Sequence, residues 1–190
     1  MVQEVDVVIC GSGSAGISAA VWLARYGLRC TILEKRLGPM KIGQADGVQC
    51  RTVEIFESLG IAEELLRESY HVLEVAFWSP DAQGCISRTR TAADTLPGLS
   101  HMPHVILNQA RINGLLLERM QTFNNQQVDY GYEVTSVEVE SATARDLDAY
   151  PVTIRAQKDS KEEVFKAKYA LVSFSRVSSE IVVTKSFLGK

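Results

Sequence analysis

A glycine-rich segment near the N-terminus constrains the fold of this chain more than any other feature. Gly11–Gly16 reads Gly-Ser-Gly-Ser-Ala-Gly, follows a short apolar run and opens an alanine-rich stretch. The run Val5–Cys10 predicts a strand buried on both faces of a parallel sheet. Ser14–Tyr26 predicts a helix that Gly27 ends, and Arg29–Glu34 predicts a second strand. Together these elements predict a βαβ unit with a GxGxxG turn after its first strand.

This placement of the motif is typical of dinucleotide binding. Gly11 permits the tight turn, Gly13 lets the backbone approach a pyrophosphate, and Gly16 allows close packing of helix on strand. Glu34 ends the second strand eighteen residues after Gly16, where an acidic side chain hydrogen-bonds the adenosine ribose and disfavours a 2′-phosphate. The simpler alternative is a tight turn followed by a surface charge. The motif alone does not decide between FAD and NAD.

The rest of the chain departs from a repeating βαβ pattern. Helices are predicted near Val48–Leu59 and Ile61–Ser69, and a strand over His71–Trp78 with Ile86–Thr91 as its hairpin partner. A helix over Gln109–Phe123 has Asn108 as its predicted N-cap. Three strand-like stretches then predict a β-meander: Val128–Glu140, Val152–Gln157 and Val164–Val172. An NAD-binding Rossmann domain would instead continue to alternate strands and helices.

Composition excludes several classes of protein. A net charge of −3, a pI near 5.7 and the lack of a basic cluster argue against a nucleic-acid binder. No run of 18 apolar residues predicts a membrane span, and the first residues do not resemble a secretory signal. His101 and His104 lie in a proline-containing loop without a third ligand, so no metal site is predicted. A cytoplasmic chain with reduced thiols is expected from the four unpaired cysteines, Cys10, Cys30, Cys50 and Cys85.

Four segments carry a resemblance to a known family. They are DVVICGSGSAG (6–16), ILEKR (32–36), GQADGVQCRTVEIFESLG (43–60) and SHMPHVILNQARIN (100–113). Over residues 4–172 the chain resembles FAD-dependent aromatic hydroxylases, especially the phenol 2-monooxygenase branch. The resemblance implies an α/β fold: a Rossmann-like FAD-binding core with a β-meander and extra strands. It also implies ortho-hydroxylation of a small phenolic substrate with O2, and NADPH as the transient reductant.

The resemblance also implies roles for individual residues. The ADP pyrophosphate would be lined by Gly11, Gly13, Ser14, Ala15 and Gly16. The ribose and adenine side would be bound by Glu34, Lys35 and Arg36. The flavin would lie near Gly43, Gln44, Ala45, Gly47 and Val48, and Gln109 and, less strongly, Arg111 would reach the phosphate or ribitol region of the cofactor from the helix that follows residue 108. Asp46 would be catalytic, because a carboxylate that takes the phenol proton makes the ring a better nucleophile. Without the family, Asp46 is most simply a turn residue and Gln109 an ordinary first-turn helix residue.

The resemblance stops after residue 172. The family continues with Gly-(Cys/Ala)-Asp-Gly, whereas this chain reads Ser-Phe-Ser-Arg from Ser173. Residues 1–172 are therefore predicted to form an incomplete FAD-binding domain and residues 173–190 a divergent tail, as in a truncated, alternatively spliced or misassembled gene product. Such a chain would be weakly active or inactive. The alternatives are a non-catalytic FAD- or ADP-binding module that associates with itself or a full-length paralogue, and an NAD-binding Rossmann domain.

Overall fold

The computed structural model describes residues 2–173 and the strand at 182–185. The predicted divergent tail, apart from Ser173 and that strand, lies outside the described residues. Contacts between residues divide the chain into two compact units, residues 1–41 with 116–190 and residues 42–115. The helices are α1 (Ser14–Arg25), α2 (Cys50–Ser58), α3 (Ala62–Glu68) and α4 (Gln109–Asn124).

The first unit contains a seven-stranded sheet in the order β12-β9-β10-β11-β1-β2-β8. Its strands are β1 (Val2–Cys10), β2 (Cys30–Glu34), β8 (Asp129–Tyr130), β9 (Glu133–Val139), β10 (Val152–Lys158), β11 (Lys161–Val172) and β12 (Val182–Lys185). Strand β1 lies between β11 and β2 and is parallel to both. Val8, Ile9 and Cys10 are fully buried, as a strand covered on both faces requires. The predicted βαβ unit is confirmed.

The β-meander is confirmed, with one difference at its start. Strands β9, β10 and β11 pair in antiparallel order as predicted. The stretch Val128–Glu140, however, is not a single strand. Gly131 adopts a positive φ of 83° and separates β8, which pairs in parallel with β2, from β9. The chain thus adds one further parallel strand to the βαβ core before the meander begins.

The second unit contains two small sheets. Strands β3 (Gly47–Val48), β7 (His104–Ile106) and β4 (Tyr70–Val72) form one sheet, with β7 in the centre. Strands β5 (Glu74–Pro80) and β6 (Ile86–Ala93) form the predicted hairpin, although the expected strand from His71 is divided at Leu73. Asn108 caps α4 as predicted, since its Oδ1 accepts the N–H of Ala110 at 2.9 Å. None of the described helices is long and apolar enough to span a membrane.

Candidate cofactor site

Gly11 and Gly16 are each required in the turn between β1 and α1. Gly11 has a φ of +100°, which L side chains rarely adopt, and its N–H donates to the carbonyl of Leu33 at 2.8 Å. A Cβ on Gly16 would lie 2.1 Å from the Gly11 carbonyl oxygen. The turn therefore brings the backbone of the loop directly against the first turn of α1, as a pyrophosphate cradle requires.

The N-terminus of α1 faces this turn. Gly13 is the N-cap residue, with φ −71° and ψ 175°, and no side chain caps the helix there. The first turn contains no acidic residue, so its positive end is not neutralised by an acidic side chain. Ser14 is half-buried and Ala15 exposed in this turn. Backbone N–H groups and the helix dipole together favour an anion at this position.

Glu34 is buried and extensively hydrogen-bonded at the end of β2. Its Oε2 accepts the N–H of Ser12 at 2.7 Å, the Ser12 hydroxyl at 2.8 Å and Nη2 of Arg36 at 3.0 Å. Its Oε1 accepts the backbone N–H of Arg36 at 2.9 Å. Burial opposes ionisation, but the hydrogen bonds from Arg36 and Ser12 outweigh it and lower the pKa of Glu34 to about 2. The carboxylate is thus ionised at neutral pH.

Two serines outside the set of predicted site residues complete this cluster. Ser12 is buried, and its backbone and side chain both bind Glu34, while its hydroxyl also accepts Arg36 Nη2 at 3.0 Å. Ser173 follows β11, and its Oγ lies 2.8 Å from the carbonyl oxygen of Gly11. Ser12 occupies a position of the GxGxxG motif that accepts any residue, so the motif does not predict a role for it. Ser173 could have been found only from the β1–β11 register, which places Val172 beside Cys10.

Lys35 and Arg36 have different surroundings although they are adjacent. Lys35 is exposed and pairs with Glu133 at 2.6 Å. The Arg36 guanidinium is about two-thirds buried and lies against Ser12 and Glu34. Arg36 therefore contacts the glycine loop through Ser12, whereas the recorded contact of Lys35 is with Glu133.

In the second unit, three residues predicted separately come together. The amide N–H of Gln44 donates to Oε1 of Gln109 at 2.9 Å. A Cβ on Gly43 would lie 2.3 Å from Cβ of Gln109, so this close approach also requires glycine. The 43–48 loop is thus attached to the first turn of α4 through the predicted residues themselves.

The remainder of this loop forms an edge of the small sheet. Gly47 and Val48 pair with Ile106 and Val105, and Val48 is buried. Ala45 and Asp46 are exposed, and the carbonyl of Asp46 accepts the N–H of Leu107 at 2.9 Å. Among the residues that the structure describes, the Asp46 carboxylate has no hydrogen-bond or ion-pair partner. The backbone at Asp46 is therefore fixed while its carboxylate stays available to solvent or a ligand.

Arg111 and the two loop histidines each have an acidic partner. Arg111 binds Glu68 through Nε at 2.6 Å and Nη2 at 2.8 Å, and this hydrogen bonding lowers the pKa of Glu68. His101 contacts Glu57, and His104 contacts Asp94. Across the described part of the chain, no three His, Cys, Asp or Glu side chains are grouped as metal ligands.

The glycine cradle, the open helix N-terminus and the ionised Glu34 are the donor set expected for the ADP half of a dinucleotide. The donor set at this end of the first unit therefore fits that half of FAD. The structure places Gly43, Gln44 and Gln109 together in the second unit, and it gives Arg111 an ion pair within the same unit.

Comparison with known proteins identifies the family. The chain is 62% identical over 176 residues to the FAD-dependent monooxygenase terD of Aspergillus terreus, covering 91% of this chain and 29% of that protein. It is 42% identical over 160 residues to the 3-hydroxybenzoate 4-monooxygenase of Comamonas testosteroni, covering 82% of this chain and 24% of the relative. The chain thus spans less than a third of the length of these relatives.

A solved structure and a family model agree with this result. The flavin-dependent monooxygenase PieE, solved with FAD and substrate, superposes with a TM-score of 0.71 at 25% identity, covering 88% of this chain and 29% of PieE. The model of the FAD binding domain family matches residues 4–172, which resolves the choice between FAD and NAD that the motif alone left open. The chain belongs to the FAD binding domain family, with FAD as the cofactor and FAD-dependent monooxygenases as its relatives.

Proposed function

We propose that this chain is the FAD-binding N-terminal portion of a flavin-dependent monooxygenase that hydroxylates phenolic substrates ortho to their hydroxyl, with NADPH and O2. The observation that carries the proposal is the Ser12–Glu34–Arg36 cluster on the glycine turn, in a chain that matches the FAD binding domain over residues 4–172. When bound, FAD would supply the activation of oxygen.

The ortho position is supported by the name of a relative. A 3-hydroxybenzoate 4-monooxygenase introduces oxygen at the ring carbon next to the one that bears the hydroxyl group. That relative is 42% identical to this chain. The same regiochemistry, within the phenol 2-monooxygenase class, is what we propose here.

Residues of both units would contribute to binding the cofactor and the substrate. Gly11, Gly13, Ser14, Ala15 and Gly16 would bind the pyrophosphate, and Glu34, Lys35 and Arg36 the ribose and adenine. The flavin would contact Gly43, Gln44, Ala45, Gly47 and Val48. Gln109 would reach the phosphate or ribitol region, and Arg111 is the weaker candidate there because Glu68 already binds it. Asp46 would accept the proton of the phenol hydroxyl, which leaves the ring more electron-rich for oxygen transfer.

The activity of the isolated chain is a separate question. We propose that residues 1–172 form an incomplete FAD-binding domain, that residues 173–190 diverge from it, and that the chain alone is weakly active or inactive. The fraction of relatives it spans, 29% and 24%, supports this. The second candidate is a cytoplasmic, non-catalytic FAD- or ADP-binding module that pairs with itself or a full-length paralogue.

Titration of the 190-residue chain with FAD and with ADP, followed by flavin fluorescence and calorimetry, tests the proposal. We expect saturable binding that Glu34→Gln weakens by roughly ten- to a hundredfold, because a hydrogen bond to a charged group contributes about 1.5–3 kcal/mol. Glu138→Gln on β9 is the matched control, and circular dichroism confirms that both variants fold. Absence of FAD binding by the folded wild-type chain would refute cofactor binding.

A second step tests whether the isolated chain hydroxylates a phenol. The FAD-loaded chain is given NADPH and a simple phenol, and the ring products are identified by mass spectrometry and NMR. An ortho-diol that Asp46→Asn removes supports the monooxygenase. FAD binding without any product is the result expected both for an inactive N-terminal portion and for the non-catalytic module, and self-association of the FAD-loaded chain in analytical ultracentrifugation would then support the module.

A further inference from the structure

The C-terminal end of β11 reaches the glycine turn through Ser173. Strand β11 is parallel to β1, and their register places Val172 beside Cys10. Ser173 follows directly, and its backbone N–H donates to the carbonyl of Cys10 at 2.9 Å. The side chain of Ser173 is therefore held beside the first residues of the turn, in a place to which neither the motif nor the family resemblance gives a role.

The hydroxyl of Ser173 is a hydrogen-bond donor to the turn. Its Oγ lies 2.8 Å from the carbonyl oxygen of Gly11 and 3.1 Å from that of Cys10. Carbonyl oxygens only accept, so the one hydroxyl hydrogen points toward them, and the shorter distance makes Gly11 the main acceptor. A Cβ on Gly16 would lie 2.5 Å from this Oγ. The hydroxyl thus occupies space that exists because residue 16 is glycine.

The peptide group between Gly11 and Ser12 is held at both ends. Its carbonyl accepts the hydroxyl of Ser173, and its N–H donates to Oε2 of Glu34 at 2.7 Å. Gly11 has a φ of +100°, a region that glycine enters without strain, so the backbone itself offers little resistance to rotation of this peptide. The two hydrogen bonds therefore fix its orientation.

The orientation of this peptide sets the direction in which the chain enters α1. Ser12 is followed by Gly13, the N-cap residue of α1, and the first N–H groups of that helix are the donors that an anion would use. A turn that samples other orientations must be ordered before it binds an anion, and this ordering lowers the affinity. A contact that holds the peptide in advance therefore favours binding.

We propose that Ser173 is a positioning residue for the cofactor, and that its hydroxyl holds the Gly11–Ser12 peptide in the orientation that presents the N-terminus of α1 to the pyrophosphate of FAD. This rests on the proposed function, in which the glycine turn binds that pyrophosphate. Ser173 acts through Gly11 and not by contact with the cofactor. The family that the chain resembles continues with glycine at this position, so the contact is particular to this chain.

Titration of the full 190-residue chain with FAD and with inorganic pyrophosphate tests the effect on affinity. We expect Ser173→Ala to weaken the binding of both by roughly two- to tenfold, which is the contribution of one neutral hydrogen bond. Ser173→Thr retains a hydroxyl and should bind like the wild type. Ser136→Ala on β9 is the matched control, because the buried hydroxyl of Ser136 has no hydrogen-bond partner among the described residues. Circular dichroism confirms that each variant folds.

Carbonyl 13C NMR gives a readout that a general loss of stability would not reproduce. The sequence contains only two Gly-Ser peptide bonds, Gly11–Ser12 and Gly13–Ser14. Glycine labelled with 13C at the carbonyl and serine labelled with 15N therefore yield two amide signals, and Ser14→Ala identifies which is which. Because accepting a hydrogen bond moves a carbonyl carbon downfield, Ser173→Ala should move the Gly11 signal upfield and affect the Gly13 signal less. These spectra need no ligand.

Three results would overturn the proposal: an FAD affinity that Ser173→Ala leaves unchanged, an equal loss of affinity in Ser173→Ala and Ser173→Thr, or a Gly11 signal that Ser173→Ala does not move. Failure of the proposed function has a different signature. A folded wild-type chain that binds neither FAD nor pyrophosphate would refute cofactor binding itself, whatever the Gly11 signal shows. A wild-type chain that binds FAD no more tightly than Ser173→Ala would remove only the role of Ser173.

Discussion

The Glu34 carboxylate accepts the backbone N–H of Ser12 at 2.7 Å, which joins the end of β2 to the glycine turn that follows β1. A residue expected to bind the ribose therefore also supports the loop that would bind the pyrophosphate. Arg36 adds two further contacts, since its Nη2 lies 3.0 Å from both the Glu34 carboxylate and the Ser12 hydroxyl. The cofactor end of the first unit is thus organised by its own side chains.

The hydrogen bonds to Glu34 make the free energy of unfolding depend on pH. The pKa of Glu34 falls from 4.5 to about 2 in the folded chain, so its stabilisation is fully present above about pH 4.5 and disappears as the pH falls toward 2. The free energy at stake is on the order of 3 kcal/mol. Urea unfolding at pH 7 and pH 3 measures the loss of stability caused by Glu34→Gln. We expect this loss to be larger at pH 7 than at pH 3. Equal differences at the two pH values, or the same behaviour in Glu138→Gln, would contradict the assignment.

Gly16→Ala is expected to destabilise the first unit. Its Cβ would lie 2.1 Å from the Gly11 carbonyl oxygen and 2.5 Å from Oγ of Ser173, so the turn must move. Forcing atoms into a closely packed site typically costs about 1–3 kcal/mol. Gly38→Ala is the matched control, because no atom lies within 4 Å of its Cβ position. Denaturant unfolding of both variants measures the difference, and a neutral Gly16→Ala would refute the close approach.

The sequence predicted those parts of the fold whose signals are local. The strand at Val5–Cys10, the glycine turn and the cap at Asn108 depend on residues close in the chain, and all three are present. Where the local signal is ambiguous, the sequence predicts one element and the structure has two. Val128–Glu140 alternates like one strand, and only the positive φ of Gly131 divides it.

The site was predicted less completely, because several of its contacts join distant residues. Ser173 reaches Gly11 across 162 positions, and Asp94 reaches His104 only through the folding of an irregular loop. The pairing of Gly43 and Gln44 with Gln109 is also long-range, yet the family resemblance implies a cofactor role for all three. Periodicity and motif spacing carry no information on such pairs.

The ion pair between Arg111 and Glu68 distinguishes a structural role for Arg111 from a cofactor role. Both side chains are about one-third exposed, with two nitrogen–oxygen contacts of 2.6 and 2.8 Å. We expect Arg111→Met and Glu68→Gln to lower the melting temperature by similar small amounts, and the double variant to add little. The FAD affinity of all three should match that of the wild type. A loss of FAD affinity in Arg111→Met alone would instead place Arg111 at the cofactor.

The hydrogen bond from Gln44 to Gln109 should control the order of the 43–48 loop. Gln109→Ala removes the acceptor of the Gln44 N–H, and a neutral hydrogen bond contributes about 0.5–1.5 kcal/mol. Amide hydrogen exchange at Gln44 should therefore accelerate by up to about tenfold. Gln109→Glu retains an acceptor at the same position and should preserve protection. Unchanged exchange in Gln109→Ala would show that β3 pairing alone orders the loop, and that Gln109 contributes nothing to the predicted flavin side through Gln44.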